Sequence, residues 1–248
     1  MIPQVIAILN HKGGVGKTTT TFNLSKALSL MTQKVLMIDI DPQANLTIIT
    51  GEENPKKSIY DAFSNDEPLP IVNIAPNLDL VPASLDLSAG EAKFIAMGIA
   101  GYFKLKNGLA NIKKNYDYIF IDCPPSLGIL TLNSLIASDS VIIVLNPEFL
   151  SIKGLTTIVS AIDNLNKDLN LNCSIMGYLI TQTERTLLSK GFEAELKKTF
   201  KKKVFENVIR RSVALKEATA SKKDIFSYNR NSTGALDYLE LAKEILVL

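Results

Sequence analysis

The chain has 248 residues, of which 46% are hydrophobic and 21% charged, and its formal net charge is +2. The longest apolar runs, such as Val141–Leu145, are far shorter than a membrane span, and no basic-then-apolar leader follows Met1. The two cysteines, Cys123 and Cys173, have no metal-ligand spacing. These features exclude a membrane-spanning or disulfide-rich secreted protein, and we expect one cytoplasmic α/β domain, residues 1–248, with two buried thiols.

Apolar runs alternate with helix-like periodic segments along the chain, which predicts a mostly parallel sheet with helices on both faces. The predicted strands are Gln4–Asn10, Lys34–Asp39, Asp79–Pro82, Tyr118–Asp122, Ser140–Asn146 and Ser174–Thr181. The predicted helices are Thr18–Met31, Ser58–Phe63, Leu87–Met97, Tyr102–Lys114, Ile129–Ser134, Ile152–Leu165, Leu188–Phe200, Ser212–Ala220 and Thr233–Leu246. No internal repeat, low-complexity tract or linker interrupts this order.

The first strand leads into a glycine-rich turn, Asn10-His11-Lys12-Gly13-Gly14-Val15-Gly16-Lys17-Thr18-Thr19, and then into a helix. Strand, glycine turn and helix are the context of a phosphate-binding loop, whose backbone N–H groups and positive helix end point at an anion. In that pattern Lys17 contacts the β- and γ-phosphates and the Thr18 hydroxyl ligates Mg²⁺. The ordinary loop has glycine where this chain has His11, and here a second lysine, Lys12, precedes the glycines.

Two more apolar strands end in acidic residues. Asp39 and Asp41 follow the second strand, where alternation along a strand predicts that both side chains lie on one side. Two carboxylates so close repel each other, which indicates a cation or ordered water between them; the alternative is that they cap the following turn. A later strand ends in Asp122, and the carboxyl ends of parallel strands form the ligand crevice of such sheets.

Together these motifs resemble the ParA/MinD family of deviant Walker A ATPases. The segment Lys12–Thr19 resembles the family's Walker A motif, Asp39–Asn45 its switch I, and Tyr118–Gly128 its Walker B and switch II. The resemblance covers essentially the whole chain and implies a P-loop NTPase fold that binds ATP and Mg²⁺.

The resemblance also implies roles for individual residues. Lys12 would reach across a dimer interface to the partner's ATP, and Asp41 would orient or activate the attacking water. Asp39 would hold a Mg²⁺-bound water, and Asp122 would accept a hydrogen bond from another. The catalytic candidates are therefore Lys12, Lys17 and Asp41, and the metal-site candidates are Thr18, Asp39 and Asp122. The remaining ATP-binding candidates in the loop are Gly13, Gly14, Val15, Gly16 and Thr19.

Near the C-terminus, Val208–Ala218 resembles the stretch that brackets adenine in ParA proteins, which implies that Arg210 and Ser212 lie at the base. Both residues depart from the family, which has Pro and Asn there, and Thr219 stands where the family has a later Pro. Thr181–Thr186 loosely resembles a family loop near the base.

A basic segment extends from Lys190 to Lys223. It contains eleven Lys and Arg against four Glu, a net charge of +7, so the rest of the chain carries −5. Such a segment is either a polyanion-binding face or a solvated helix surface. We expect non-specific DNA binding, because no groove-reading motif accompanies the charges. The DNA-binding candidates are Lys201, Lys202, Lys203, Arg211, Lys216, Lys222 and Lys223.

Three functions of the family were compared. A ParA/Soj-type partition ATPase would bind DNA as an ATP homodimer on the nucleoid and be released when a ParB-type partner stimulates hydrolysis. A MinD-like membrane-cycling ATPase would need a basic C-terminal helix, whereas this chain has Asp237, Glu240 and Glu244 against Lys243 there. A reductase of the nitrogenase iron-protein type would need cluster cysteines, and no cysteine pattern supports it. We therefore expect a partition ATPase that does not bind membranes.

Overall fold

The structure is a computed structural model that describes residues 3–147 and 151–248. Within these residues seven strands form one sheet in the order β3-β4-β2-β5-β1-β6-β7, and every pair is parallel except β3 with β4. The strands are β1 (Gln4–Leu9), β2 (Val35–Asp39), β3 (Val72–Ala75), β4 (Leu78–Val81), β5 (Tyr118–Asp122), β6 (Ser140–Leu145) and β7 (Ser174–Ile180). The predicted α/β architecture is confirmed.

Helices cover both faces of this sheet. Those within the described residues are α1 (Lys17–Leu30), α2 (Asn45–Ile49), α3 (Ile59–Asn65), α4 (Asp86–Ala96), α5 (Ile99–Tyr102), α6 (Lys104–Leu109), α7 (Ile129–Ala137), α8 (Ser151–Leu169), α9 (Leu187–Phe200), α10 (Val213–Ala220), α11 (Ile225–Asn229) and α12 (Thr233–Leu246). Single 3₁₀ turns occur at Lys113–Asn115 and Lys201–Lys203.

The strands are buried on both faces because helices lie on each side. In β1, Val5 and Ala7 belong to one apolar cluster and Ile6 and Ile8 to the other, as the two-residue period of a strand requires. The second cluster includes apolar residues of α1 and α12, such as Leu241. The sheet is therefore a rigid support for the loops at its carboxyl edge.

The prediction of one helix over Tyr102–Lys114 is wrong. The segment is divided between the end of α5, α6 and a 3₁₀ turn. Asn133 of α7 explains the break: its side chain donates to the carbonyl of Gly101 at 2.8 Å and accepts from the N–H of Leu105 at 3.1 Å. A buried amide from another helix thus takes the backbone groups that a continuous helix would use.

Four short elements were not predicted: α2, α5, α11 and β3, of which α5 shares only its last residue with a predicted helix. Each has only four or five residues, too few to show a helical or strand period in the sequence. Of these, α2 matters most for function because it follows directly after Asp41 and packs beside β2.

Candidate active site

The phosphate loop connects β1 to α1 at the carboxyl edge of the sheet. Gly14 and Gly16 have φ values of 75° and 93°, a region that residues with a side chain rarely adopt. Gly16 is the N-cap of α1, so the free N–H groups of the first helical turn, which begins at Lys17, face the loop. This local geometry suits a bound phosphate chain.

Lys17 is buried, and its ammonium donates to the carbonyl oxygen of Lys12 at 3.1 Å. Burial lowers the pKa of Lys17, while the neighbouring Asp122, Cys123 and Asp41 act in the opposite direction. The lysine therefore lies within electrostatic reach of the carboxylates predicted to act with it.

Asp39 and Asp122 are direct partners in the register of β2 and β5. Asp122 is 1% exposed, and within the described residues no hydrogen bond of standard geometry reaches either of its carboxylate oxygens, although the Thr18 hydroxyl is close enough to interact with them. Burial is the main cause that raises its pKa well above the usual range, and the charge of Asp39 adds to it, whereas neighbouring Thr18 and Lys17 lower it. A buried carboxylate in this condition requires a cation or water to satisfy it.

Asp122 and Thr18 together fit a hydrated Mg²⁺. A bare carboxylate and an adjacent hydroxyl are oxygen donors of the kind that this ion prefers, and Mg²⁺ keeps several water molecules when it binds beside phosphates. Residues 3–147 and 151–248 contain no group of three or more His, Cys, Asp and Glu side chains arranged for a metal. A cation at this edge would thus depend on phosphate and water for most of its ligands.

Asp39 has contacts that differ from those of Asp122. One carboxylate oxygen accepts from the N–H and the hydroxyl of Thr47 at 2.8 and 2.7 Å, and the other accepts from the N–H of Asp41 at 3.1 Å. Burial raises the pKa of Asp39 to about 7, against the effect of these hydrogen bonds. The contacts favour a structural task for Asp39 over the predicted contact with Mg²⁺-bound water.

β2 ends at Asp39, so Asp41 lies in the turn that follows the strand. The alternation of side chains along a strand, which predicted that Asp39 and Asp41 lie on one side, therefore does not apply to Asp41. Its carboxylate accepts from the N–H of Gln43 at 2.9 Å, and its carbonyl accepts from the N–H of Ala44 at 2.9 Å. Asp41 is 7% exposed, and its charge affects Lys17, so it borders the phosphate loop. This position is compatible with the predicted role beside the attacking water.

A cavity of about 480 Å³ lies next to the phosphate loop, a volume suited to a nucleoside. Its lining residues are Gly14, Gly16, Thr19, Thr181, Gln182, Ile209, Arg210, Arg211, Ser212, Leu215, Lys216, Thr219 and Tyr238. The structure thus brings Arg210 and Ser212 to the predicted base region.

The guanidinium of Arg210 is already engaged in this cavity wall. It makes a two-pronged contact with the carboxylate of Asp237, including an Nε donor at 3.0 Å, and the Arg210 N–H donates to the same carboxylate at 2.9 Å. The ion pair between Arg210 and Asp237 attaches this side of the cavity to α12. Because its guanidinium is neutralised by Asp237, Arg210 contributes its backbone and the aliphatic part of its side chain to the cavity.

Two residues that follow β7 hold the phosphate loop and were not among the predicted site residues. The hydroxyl of Thr181 donates to the carbonyl of Val15 at 2.6 Å, and the side-chain amide of Gln182 donates to that of Gly14 at 2.6 Å. The loose family resemblance of Thr181–Thr186 was a signal for this region. The contact itself depends on the position of β7 beside β6, at one end of the sheet order.

The DNA-binding candidates are separated into two groups. The chain from Val204 to Arg211 extends alongside β7, with bridges Tyr178–Val204 and Thr183–Arg210. Lys203 is eight residues from Arg211, so at about 3.3 Å per residue the two lie at most about 26 Å apart; Arg211 lines the cavity and Lys201–Lys203 do not. Arg211 pairs with Glu184 and Lys222 with Glu53, so part of the predicted positive charge is neutralised locally.

Comparison with known proteins identifies close relatives over nearly the whole chain. The family model described as an AAA domain matches residues 3–175. The Bacillus subtilis sporulation initiation inhibitor protein Soj is 42% identical over 98% of both chains. The chromosome partitioning protein ParA of Myxococcus xanthus is 37% identical over 99% of this chain and 88% of its own length.

Solved structures are also similar to this chain over nearly its whole length. Cobyrinic acid a,c-diamide synthase from Mycobacterium smegmatis, with a bound ATP analogue and magnesium, has a TM-score of 0.86 and 30% identity over 99% of this chain and 95% of its own. A putative plasmid partition protein from Borrelia burgdorferi bound to AMPPNP has a TM-score of 0.82 and 29% identity over 99% of both chains. The septum site-determining protein MinD from Pyrococcus horikoshii, complexed with Mg-ADP, has a TM-score of 0.81 and 28% identity over 98% of this chain and 95% of its own. Among the described helices of this chain, none has the length and apolar character needed to cross a bilayer.

Proposed function

This chain belongs to the ParA/Soj family of partition ATPases, and on that basis we propose that it is a Mg²⁺-dependent ATPase that segregates DNA. One observation carries the enzymatic part: Lys17, Asp41 and Asp122 converge beside a phosphate loop of two positive-φ glycines. Phosphoryl transfer depends mainly on positioning and charge neutralisation, and these groups supply both.

ATP binds in this proposal with its phosphates against the backbone of residues 13–19 and its base in the cavity beside Arg210 and Ser212. Thr18 and Asp122 would hold Mg²⁺, which would supply positive charge to offset the negative charge of the phosphates. Lys17 adds a fixed positive charge, which its buried contact with the Lys12 carbonyl already orients.

Asp41 orients the attacking water. Its carboxylate is fixed by the turn that follows β2 and lies near Lys17, so it does not need to be recruited from a distant loop. A positioned carboxylate of this kind contributes about 10²–10⁴-fold in rate. We infer that basal hydrolysis is slow, since a switch must keep its ATP state long enough to bind DNA and no strong general base is evident in the sequence.

The ATP state is a homodimer in which the Lys12 side chain contacts the partner's nucleotide. The backbone of Lys12 already serves its own loop, through its carbonyl to Lys17 and its N–H to Asn10 at 2.9 Å. The predicted role across the interface concerns the side chain and is compatible with these backbone contacts.

Dimerisation doubles the number of Lys and Arg side chains on one DNA-binding face. The DNA is bound without sequence preference. Arg211 and Lys216 border the nucleotide cavity, which supports a link between ATP binding and DNA binding. A ParB-type protein would complete the cycle by stimulating hydrolysis and releasing the DNA.

The MinD-like alternative is not favoured by the C-terminal helix. The apolar residues Tyr238, Leu241 and Ile245 of α12 are buried in the core against α1, and Glu244 accepts hydrogen bonds from Asn207. Leu236 and Leu246 of α12, with Val247 and Leu248 after it, are exposed, but the acidic charge of the helix disfavours binding to an anionic membrane.

The test is co-sedimentation of the purified chain with plasmid DNA or anionic liposomes, with ATP, with ADP and without nucleotide, together with phosphate release. We expect slow hydrolysis and ATP-dependent binding to DNA of any sequence. Liposome binding in place of DNA binding, or no hydrolysis at all, would contradict the proposal.

A further inference from the structure

A chain of buried hydrogen bonds leads from the end of β4 to Asp41. The N–H of Ala83 donates to the hydroxyl oxygen of Thr47 at 2.9 Å, and that hydroxyl donates to Asp39 at 2.7 Å. The other oxygen of Asp39 accepts from the N–H of Asp41 at 3.1 Å. Three separate segments, the turn after β2, helix α2 and the loop after β4, are thus connected through one carboxylate and one hydroxyl.

The Thr47 hydroxyl both donates and accepts a hydrogen bond in this network. The residue is 1% exposed, its one hydroxyl proton goes to Asp39, and it also accepts from Ala83. Its backbone N–H donates to the same Asp39 oxygen at 2.8 Å. Asp39 is therefore restrained on one side by Thr47, which leaves its second oxygen aimed at the backbone of Asp41.

We propose that Thr47 is a positioning residue for ATP hydrolysis, which acts through Asp39 to set the position of Asp41; the inference rests on the proposed ATPase function. Three acceptor sites of Asp39 are used by Thr47 and Asp41, so in this arrangement its main task is to connect α2 with the turn after β2. Asp122, whose oxygens have no regular partner among the described residues, keeps the predicted metal role. A displacement of about 1 Å in a reacting group reduces rate by as much as 10²-fold, so the effect of Thr47 is expected in catalysis.

The experiment compares Thr47→Val, which keeps the shape and removes the hydroxyl, with Thr47→Ser, which keeps the hydroxyl. Ser138→Ala is the matched control. The Ser138 hydroxyl is also buried and donates to the backbone carbonyl of Ser134 at 2.7 Å, but Ser138 lies just before β6, at the amino ends of the parallel strands. Thermal unfolding, ATP affinity from a fluorescent analogue and single-turnover hydrolysis are measured for each variant.

We expect Thr47→Val to lower the hydrolysis rate roughly ten- to hundredfold while ATP affinity stays within about threefold. Thr47→Ser should restore most of the rate, and Ser138→Ala should hydrolyse ATP like the wild type. In an Asp41→Ala background, adding Thr47→Val should cause no further loss, because the two residues act as a unit.

The inference is overturned if folded Thr47→Val hydrolyses ATP within twofold of the wild type, or if Thr47→Ser loses as much rate as Thr47→Val. A further loss in the Asp41→Ala background would also overturn it. A wild-type chain without ATPase activity would instead overturn the proposed function, and this inference with it.

Discussion

Asp39 and Asp122 face each other across neighbouring strands, yet Asp39 accepts three hydrogen bonds while Asp122 has no regular partner among the described residues. Both carboxylates belong to the last residue of a buried parallel strand. On these different surroundings we propose that Asp39 holds the turn and that Asp122 contacts the cation. The first prediction follows from this difference.

Asp122→Asn is expected to stabilise the nucleotide-free protein in EDTA and to abolish Mg²⁺-dependent hydrolysis. The Asp122 carboxyl is buried without a hydrogen bond of standard geometry and must hold a proton to stay buried, so an uncharged amide relieves a cost of about 1–3 kcal/mol. For a chain of this size, 1 kcal/mol corresponds to about 2–4 °C in Tm. Calorimetry in EDTA and a phosphate-release assay with Mg²⁺ measure the two effects. A large fall in Tm would show that Asp122 supports the fold.

The same variant should show a pH-dependent difference. Because the pKa of Asp122 is raised in the folded state, the folded wild type holds a proton that the unfolded chain has lost. Its free energy of unfolding therefore decreases as pH rises from about 4, the ordinary value, to the folded pKa. The Tm advantage of Asp122→Asn should grow over that interval. A constant difference from pH 4 to 8 would contradict the assigned shift.

Asp41→Ala should bind ATP and Mg²⁺ and dimerise but stall before hydrolysis, because Lys17, Thr18 and Asp122 remain. Loss of such a group costs about 10²–10⁴-fold in rate. Single-turnover hydrolysis and light scattering with ATP test both parts. If the rate falls less than tenfold, Asp41 is not the residue that positions the water.

Lys12→Ala should still bind nucleotide, because the backbone contacts to Lys17 and Asn10 do not need the side chain. It should lose the ATP dimer and hydrolysis. His11→Ala, the exposed neighbour in the same loop, is the control and should behave like the wild type. An unchanged ATP dimer with full turnover in Lys12→Ala would rule out its action across the interface.

Gln182→Ala should weaken ATP binding up to about tenfold, the effect of one hydrogen bond of 0.5–1.5 kcal/mol. The amide at 2.6 Å from the Gly14 carbonyl holds the phosphate loop, and Gln182 is exposed, so folding should be unaffected. Gln33→Ala, remote from the site at the end of α1, serves as control. Equal ATP affinity for Gln182→Ala and wild type would show that the loop does not need this contact.

Replacing Arg211, Lys216 and Lys223 with Glu should abolish ATP-dependent DNA binding, and ATP affinity is measured on the same variant because Arg211 and Lys216 line the cavity. The same charge change at Lys201, Lys202 and Lys203 is the matched control. We expect it to weaken binding less, because Arg211 and Lys216 border the nucleotide cavity and the three lysines do not. Wild-type affinity should fall steeply with salt, with a slope of about 0.9 per neutralised phosphate. Equal loss in both variants would mean that DNA contacts both regions.

Much of this protein was predictable from local patterns. Lys17 follows a glycine turn between a strand and a helix, and Asp122 ends an apolar strand, so short-range geometry is enough to bring both to one sheet edge. The register of β1, β2 and β5 agrees with that prediction. The break in the predicted helix Tyr102–Lys114 was not predictable in this way, because Asn133, which causes it, comes from α7.

The finer division of roles depended on contacts between distant segments. No pattern in the sequence distinguishes Thr47; its hydroxyl connects Ala83 with Asp39 only because β4 lies beside β2. The charges of Arg211 and Lys222 were visible in the sequence, but their carboxylate partners, Glu184 and Glu53, lie 27 and 169 residues away. Local patterns specify which chemical groups line a strand end. Which of them is satisfied by the protein, and which is left to bind a ligand, is decided by strand order and packing.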